Sequence, residues 1–457
     1  MQDREKFASR LGFILISAGC AVGLGNVWRF PFITGKYGGA LFVLIYLVFL
    51  VIFGIPVMTM EFSVGRASQK SVATSFHELE PKGSKWHIFS WFAMAGNYLL
   101  MMFYTTVSGW MLAYLFFMIQ GKFTGLSPDE VGGFFGGFIE NPGLGIMWMV
   151  IICVLGFGIC MLGLQKGVER VTKVMMSALF IIMIILAVRA ITLNGAGEGL
   201  KFYLMPSLKP IKEFGLFEVL FAAMGQSFFT LSLGIGSMAI FGSYIKRERR
   251  LFGEAINITI LDTVAALLAG LIIFPACFAF GVNPGAGPGL IFVTLPNIFN
   301  EMAAGRLWGS LFFLFMVFAA LSTVVAVFEN IVSFAIDKTG CSRRKACLVN
   351  FAVLIVLSLP CVLGFSIWSG FQPFEPGSVV LDLEDFIVSN NLLPLGALIY
   401  LLFSVTKKGW KWENFIAEAN AGEGRKFPAK LKPYFVFVLP IVLIAFYIAG
   451  MVTKFIG

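Results

Sequence analysis

The sequence is poor in charged and ionisable side chains. Only 13% of its 457 residues are Asp, Glu, Lys or Arg, and histidine occurs twice. Soluble domains average about 25% charged residues, so this composition argues against a soluble protein. The chain also lacks a nucleophile elbow, a phosphate-binding glycine loop and a basic tract with interleaved aromatics. These absences argue against an enzyme and against a nucleic-acid-binding protein.

Cysteine and histidine show no spacing typical of a metal site or of a disulfide framework. Most of the seven cysteines lie in apolar segments, where they serve as small buried hydrophobes. His77 and His87 fall in one polar connection. Histidines in loops are usually solvated, so we expect no ligand role for either.

What the chain has in abundance is apolar sequence. Hydrophobic residues make up 58% of it, including 51 phenylalanines. Segments of about 20 apolar residues are long enough to span a bilayer as helices. The pattern predicts an all-α polytopic membrane protein, in which residues 1–457 form one transmembrane domain. The expected spans are 11–35, 40–65, 87–119, 145–164, 168–192, 215–244, 252–282, 306–337, 345–367, 379–404 and 433–454.

Two of these segments are interrupted. Gly19–Asn26 places three glycines in the middle of the first, and Thr230–Ser237 interrupts the sixth. Each glycine disfavours a helix by roughly 1 kcal/mol relative to alanine. Non-helical backbone at membrane depth is tolerated only where it is buried in protein or lines a cavity. Broken helices at matching places in two halves of a chain are typical of a transporter binding site.

The two halves have opposite orientations. Helices 1–5 (11–192) and 6–10 (215–404) are sets of five, so their directions across the membrane alternate, and 433–454 is an additional helix. This predicts a 5+5 inverted repeat. Most of the 34 lysines and arginines fall on one side if the N-terminus is cytoplasmic. We therefore expect a multi-pass plasma-membrane protein with an extracellular C-terminus.

Oxygen-bearing side chains accompany the breaks. Asn26 and Thr230 lie beside them, Asp262 lies in the seventh segment, and Ser322 and Thr323 lie in the eighth. Freed carbonyls and hydroxyls suit a small hard cation, and a half-helix N-terminus suits a carboxylate. For Ser322 alone, ordinary helix–helix hydrogen bonding explains the residue better. For Asp262 it does not, because an unpaired intramembrane acid costs at least about 2.5 kcal/mol.

Two charged pairs are candidate gates. Arg29 follows the first break and Asp385 lies early in the tenth segment, so a gate is favoured there over a structural ion pair. Arg4 and Asp337 could close the other side, although two solvated surface charges explain them almost as well.

The motifs that surround the breaks match a known family. The sequence resembles the neurotransmitter:sodium symporter family, and in overall pattern its bacterial eleven-helix members that carry hydrophobic amino acids. The resemblance implies a leucine-transporter-type fold with broken helices 1 and 6. The matching stretches are Arg10–Gly12, Gly19–Asn26, Arg29–Pro31, Gly38–Gly39, Gln226–Ser232, Thr294–Pro296 and Phe318–Thr323.

The resemblance also implies roles for individual residues. It assigns one Na⁺ to Ala21, Asn26, Thr230 and Asp262, and a second to Gly19, Val22, Ala319, Ser322 and Thr323. The outer gate would be Arg29 and Asp385 with Phe229 and Tyr104, and the inner gate Arg4 with Asp337. The implied substrate-binding residues are Ala21, Leu24, Gly25, Leu100, Tyr104, Phe229, Thr230, Ser232, Ile235, Ser322 and Val327.

The expected activity is symport of hydrophobic L-amino acids with two Na⁺ by alternating access. Relatives often have Asn at the position of Asp262, and some bacterial ones have Glu at the position of Ala266. We hypothesise that Asp262 supplies this negative charge and makes transport independent of chloride. Proton-coupled or exchange transport on the same fold is the alternative, and an ion channel is a second. The expected partners are the amino-acid substrate and the lipid bilayer, with a monomer sufficient for transport.

Overall fold

The structure, a computed structural model, describes residues 5–282, 284 and 289–455. Within them the chain is helical, and extended pairing is limited to a bridge between Arg249 and Glu423. We number the spans 1 to 11 in chain order. They are Arg10–Ala21 with Gly25–Lys36, Ala40–Ser68, Trp86–Gln120, Pro142–Met161, Leu164–Ile191, Leu216–Thr230 with Ser237–Tyr244, Leu251–Ala279, Gly305–Thr339, Arg343–Leu363, Val380–Val405 and Tyr434–Val452.

The described helices can be compared with the eleven predicted spans by their length and apolar composition. Nine are long and apolar enough to cross a membrane, and the two halves of span 1, bent by 51°, together make a tenth. Leu216–Thr230 is apolar but shorter, and it reaches the length of a span only together with Ser237–Tyr244. The two predicted breaks are therefore the two places where a span is divided.

Local capping places span 4 slightly earlier than expected. The segment 145–164 is found at Pro142–Met161 because the Asn141 side chain accepts a hydrogen bond from the Leu144 amide and Pro142 occupies the first turn. Gly163, with φ of 91°, separates this span from span 5, which begins at Leu164 rather than near 168. Left-handed backbone favours glycine at that position.

Short helices join the spans. They lie at Val72–Leu79, Pro128–Ile139, Ala196–Leu204, Lys209–Phe214, Leu295–Glu301 and Trp412–Ala419. Helix Val72–Leu79 packs against spans 3 and 8. These connections cover the ends of the bundle.

Spans 3 and 8 form the centre of the bundle. Each has 35 residues, about 52 Å of helix at 1.5 Å per residue, and most of each is buried inside the protein. Span 11 is mostly exposed on the surface of the protein and lies at the periphery. The first half of span 1 packs on spans 5, 7 and 8, and both halves of span 6 pack on span 2. The two broken helices are thereby enclosed by the bundle.

Candidate functional site

The first break occupies residues 22–24. The helix starts where the Ser9 side chain accepts from the Gly12 amide, ends at Ala21, and resumes at Gly25 with a change of direction of 51°. Val22 and Leu24 are fully enclosed by protein. The polar backbone of the break therefore faces other protein groups and not lipid.

The second break has a sharper backbone turn. Between Thr230 and Ser237, φ is positive at Ser232 (51°), Gly234 (95°) and Gly236 (78°). A Cβ on Gly234 would overlap the Leu393 carbonyl oxygen of span 10. Glycine is required at 234 both for its backbone conformation and for this close approach.

The two breaks are bonded to each other. Ser232 Oγ in the second donates to the Cys20 carbonyl beside the first at 3.1 Å. Gln226 Nε2, in the last turns before the second break, donates to the Gly25 carbonyl at 2.8 Å. The segments that the sequence separates by about 200 residues thus form one polar centre.

Neighbouring spans satisfy further groups of the second break. Glu61 in span 2 accepts a hydrogen bond from the Gly234 amide, and Asn97 Nδ2 in span 3 donates to the Ile235 carbonyl at 2.8 Å. Asn330 of span 8 in turn donates to Asn97 Oδ1 at 2.9 Å. Sequence reasoning missed these residues. An acid within an apolar run, as at Glu61, is the signal that could have identified it.

Asp262 lies where span 7 meets both breaks. Its carboxylate accepts from Asn26 Nδ2 at 2.8 Å and from Thr230 Oγ1 at 3.1 and 3.2 Å. Tyr46 of span 2, which the sequence did not single out, donates to the other carboxylate oxygen at 3.4 Å. Asn26, Thr230 and Asp262 are all completely buried.

This donor set fits a small cation. Among the described residues, no lysine, arginine or histidine pairs with the Asp262 carboxylate. A buried carboxylate without a cationic partner is strongly disfavoured, so a bound cation would supply the missing charge. Asn26 turns its amide nitrogen to the carboxylate and its Oδ1 to the Gly23 amide. This amide oxygen, the Thr230 hydroxyl and the carboxylate are all hard ligands. Ala21, whose carbonyl is the fourth predicted ligand, lines the adjoining cavity.

A second set of oxygens joins span 8 to the first break. Ser322 Oγ donates to the carbonyls of Ala319 at 2.9 Å and Val22 at 3.5 Å. Thr323 Oγ1 donates to the Gly19 carbonyl at 3.1 Å and reaches the Ala319 carbonyl at 3.4 Å. The five residues predicted for the second Na⁺ site thus share one network of neutral oxygens.

A narrow cavity lies beside the two breaks, next to these oxygen clusters. Six of the predicted substrate-binding residues line it, together with four residues that the sequence did not assign to the substrate. The predicted six are Ala21, Gly25, Leu100, Tyr104, Phe229 and Ser232, and the additional four are Cys20, Gly23, Thr323 and Leu393.

The other predicted substrate residues lie behind this wall. Leu24 contributes its amide, which donates to Tyr104 Oη at 2.9 Å. Thr230 and Ser322 belong to the two oxygen clusters. Ile235 and Val327 are fully buried but are not part of the lining.

Of the two charged pairs predicted as gates, the outer pair lies wholly within the described residues and the inner pair only in part. Arg29 places its guanidinium over the Phe229 ring, 4.4 Å from the centroid, and Asp385 Oδ1 accepts from Ser389 Oγ at 2.6 Å. Arg29 and Asp385, both described, do not form an ion pair with each other. On the other side, Arg4 lies outside the described residues, and Asp337 Oδ2 accepts from the Ser71 amide at 2.7 Å. Both gates stay predictions.

Gly23 is closely packed against two hydroxyls of the site. A Cβ there would overlap both Tyr104 Oη and Thr323 Oγ1. We expect Gly23→Ala to weaken substrate binding and Na⁺ binding together, each by roughly five- to a hundredfold, since overpacking costs typically 1–3 kcal/mol. Equilibrium binding of labelled substrate at varied Na⁺ concentration checks this. Gly225→Ala is the matched control, because a Cβ at 225 meets no atom within 4 Å; equal losses in both variants would contradict the expectation.

Comparison with known proteins identifies the family of this chain. The profile of the sodium:neurotransmitter symporter family matches residues 4–126 and 136–455. The chain belongs to this family. It is therefore a multi-pass membrane transporter rather than an enzyme, and sodium-coupled transport is the activity of the family to which it belongs.

Individual relatives and a solved structure agree with this family assignment. The chain is 35% identical to the sodium-dependent transporter YhdH of Bacillus subtilis (strain 168), over 88% of each chain. It is 26% identical to the sodium- and chloride-dependent taurine transporter of Rattus norvegicus, over 88% of this chain and 71% of that one. The crystal structure of MhsT in complex with L-phenylalanine superposes with a TM-score of 0.89 at 39% identity, covering 98% of this chain and 100% of MhsT. The predicted leucine-transporter-type fold is confirmed.

Proposed function

We propose that the protein imports hydrophobic L-amino acids, aliphatic and aromatic, together with two Na⁺ per substrate. The observation that carries this proposal is the adjacency of three features. A buried, uncompensated Asp262 carboxylate, a neutral oxygen cluster at Ser322 and Thr323, and a mostly apolar cavity that Tyr104 lines all meet at the two breaks.

The cavity is suited to a substrate that is charged at one end only. Tyr104 Oη accepts from the Leu24 amide and keeps its own proton for a second partner, which in this account is the substrate carboxylate. The residues that line the cavity include no charged side chain. Leu100, Phe229 and Leu393 provide apolar surface for the substrate side chain. The L-phenylalanine bound by MhsT supports this substrate class.

Two cation sites would couple the gradient to transport. The first would use Ala21, Asn26, Thr230 and Asp262, with the substrate carboxylate completing it. Because Na⁺ and substrate would share this site, each would raise the affinity of the other by the same factor. The second site, of neutral oxygens, would hold its ion by carbonyl and hydroxyl dipoles alone.

The Asp262 carboxylate is the reason why we expect transport to be independent of chloride. Its carboxylate provides a negative charge next to the first cation site, so no external anion is needed there for charge balance. The rat taurine relative is described as chloride-dependent. In this protein the side chain at 262 would take over the role of that anion.

The transport cycle would be a rocking motion. Spans 1, 2, 6 and 7 would move against a scaffold of spans 3, 4, 8 and 9, with Arg29–Asp385 closing outside and Arg4–Asp337 inside. The N-terminus would be cytoplasmic and the C-terminus extracellular in the plasma membrane. All the proposed ligands come from one chain, so a monomer suffices.

Uptake into proteoliposomes tests the proposal. With Na⁺ outside and K⁺ inside, labelled phenylalanine should accumulate, and unlabelled leucine, isoleucine, valine and the aromatic amino acids should compete. Accumulation driven equally by a proton gradient without Na⁺ would favour the proton-coupled alternative. Substrate exchange without net uptake would favour an exchanger. Strongest competition by charged amino acids would overturn the substrate class.

A further inference from the structure

The two histidines of the chain meet in the connection between spans 2 and 3. His77 lies near the end of helix Val72–Leu79, and His87 lies in the short 3-10 helix Trp86–Ile88. Their rings are 5.7 Å apart between centroids, and Glu80 lies between them. Loop folding thus brings together side chains that sequence reasoning treated as independent and solvated.

The ligand atoms of these three residues point at one another. Glu80 Oε1 is 3.3 Å from His77 Nδ1 and 2.6 Å from His87 Nδ1, and all three atoms lie within 4.8 Å of one another. In a tetrahedral zinc site with bonds of about 2.0–2.1 Å, neighbouring ligand atoms are roughly 3.3 Å apart. Opening the Glu80–His87 contact by less than about 1 Å would bring both distances from Glu80 to the histidine nitrogens to this spacing.

Glu80 is held in place by its other oxygen. Glu80 Oε2 accepts from Ser84 Oγ at 2.7 Å and from the His87 amide at 3.2 Å, and the Glu80 side chain is only 7% exposed. The His77 and His87 rings are 71% and 46% exposed, so solvent reaches them. Fixing a carboxylate through one oxygen while the other faces two imidazoles is the arrangement of an oriented metal ligand.

The backbone that carries these ligands is anchored to the bundle. Phe76, one residue before His77, is fully buried and packs on the rings of Phe89, Tyr400 and Phe403. Trp86 Nε1, one residue before His87, donates to the Lys408 carbonyl at 2.8 Å. The two histidines are therefore positioned before any ion binds.

We propose that His77, Glu80 and His87 form a binding site for one divalent transition-metal ion of the Zn²⁺ class. The three side chains would supply two nitrogens and one oxygen, and water would complete a tetrahedron. Such a ligand set prefers Zn²⁺, Co²⁺ or Ni²⁺ to the alkali and alkaline-earth ions. The site is separate from the proposed Na⁺ ligands of spans 1, 6, 7 and 8.

The position of this site gives it a consequence for transport, which rests on the function proposed above. Ser71, at the start of helix Val72–Leu79, donates its amide to Asp337 of span 8, and a Cβ on Gly236 of the second break would contact Val72. A metal ion would brace the connection between a moving span and a scaffold span. We therefore expect Zn²⁺ to slow transport without preventing Na⁺-dependent substrate binding.

Metal binding is measured directly on the detergent-purified full chain, prepared without a histidine tag. Titration with Co²⁺, followed by its d–d absorption, and with Zn²⁺ by calorimetry should both give one ion per chain. His77→Ala and His87→Ala should each lower the affinity by roughly a hundredfold or more, the upper end of what a lost orienting group costs. Lys82→Ala, in the same connection, should bind as the wild type does.

The titrations need a control for metal binding at a partly exposed thiol. Cys341 is the one described cysteine that is not buried, so the titrations are repeated in Cys341→Ser. Binding that persists in both histidine variants but disappears in Cys341→Ser would overturn the proposal, as would the absence of stoichiometric binding to the wild type. Normal Na⁺-dependent uptake without metal binding would refute this site alone, whereas metal binding without Na⁺-dependent uptake would refute only the proposed transport function.

Discussion

Asp262→Asn is expected to make uptake dependent on chloride. The substitution keeps the side-chain shape and one oxygen for Asn26 and Thr230, but it removes the negative charge that faces the proposed first cation. Burying a cation without a counter-charge is strongly unfavourable. In chloride-free gluconate medium, initial uptake should fall at least about a hundredfold, which corresponds to the 3–5 kcal/mol of breaking a buried pair.

Restoring chloride should recover a substantial part of this uptake in the variant and leave the wild type unchanged. Glu61→Gln is the matched control, because it also removes a buried acid but one that serves the Gly234 amide. Whatever uptake Glu61→Gln retains should not respond to chloride. Wild-type uptake that ceases in gluconate, or an Asp262→Asn protein that transports normally without chloride, would show that this carboxylate does not provide the charge.

Tyr104→Phe is expected to lose substrate affinity while it retains Na⁺ binding at the second site. The change removes the hydroxyl that accepts from the Leu24 amide and that would donate to the substrate carboxylate. A hydrogen bond to a charged group contributes about 1.5–3 kcal/mol, roughly ten- to a hundredfold in affinity. Saturation binding of labelled phenylalanine at high Na⁺ concentration measures the loss.

Tyr114→Phe is the control for this measurement. Tyr114 lies on the same span, and its hydroxyl is buried without a hydrogen-bond partner among the described residues. Removing that hydroxyl should leave the affinity for phenylalanine unchanged. If both variants lost affinity equally, the effect would come from packing in span 3, and the assignment of Tyr104 to the carboxylate would be wrong.

The two helix breaks could be predicted from the sequence because they depend on the residues at the breaks themselves. Glycine clusters weaken a helix wherever they occur, and those at Gly19–Asn26 and Gly234–Gly236 coincide with the interruptions of spans 1 and 6. The intramembrane acid Asp262 was equally visible, since its burial without a partner is unfavourable by itself. Grouping the five residues of the second oxygen cluster required the family resemblance, because composition does not specify contacts between distant spans.

The site residues that were not identified from the sequence make their contacts between different spans. Asn97 and Gln226 are ordinary helix residues by position, and only the packed bundle shows that they bond the backbone of the breaks. Leu393 lines the cavity for the same reason. His77 and His87 are ten residues apart in a connection whose path is set by the burial of Phe76. Helical periodicity does not specify such a path.

The reciprocal effect of Na⁺ and substrate on each other's affinity tests the central claim most directly. Phenylalanine affinity is measured across a range of Na⁺ concentrations, with K⁺ replacing Na⁺ at constant ionic strength, and Na⁺ affinity is measured with and without saturating phenylalanine. One site formed by both breaks predicts that each ligand raises the affinity of the other by the same factor. Phenylalanine binding of equal affinity in Na⁺ and in K⁺ would contradict it.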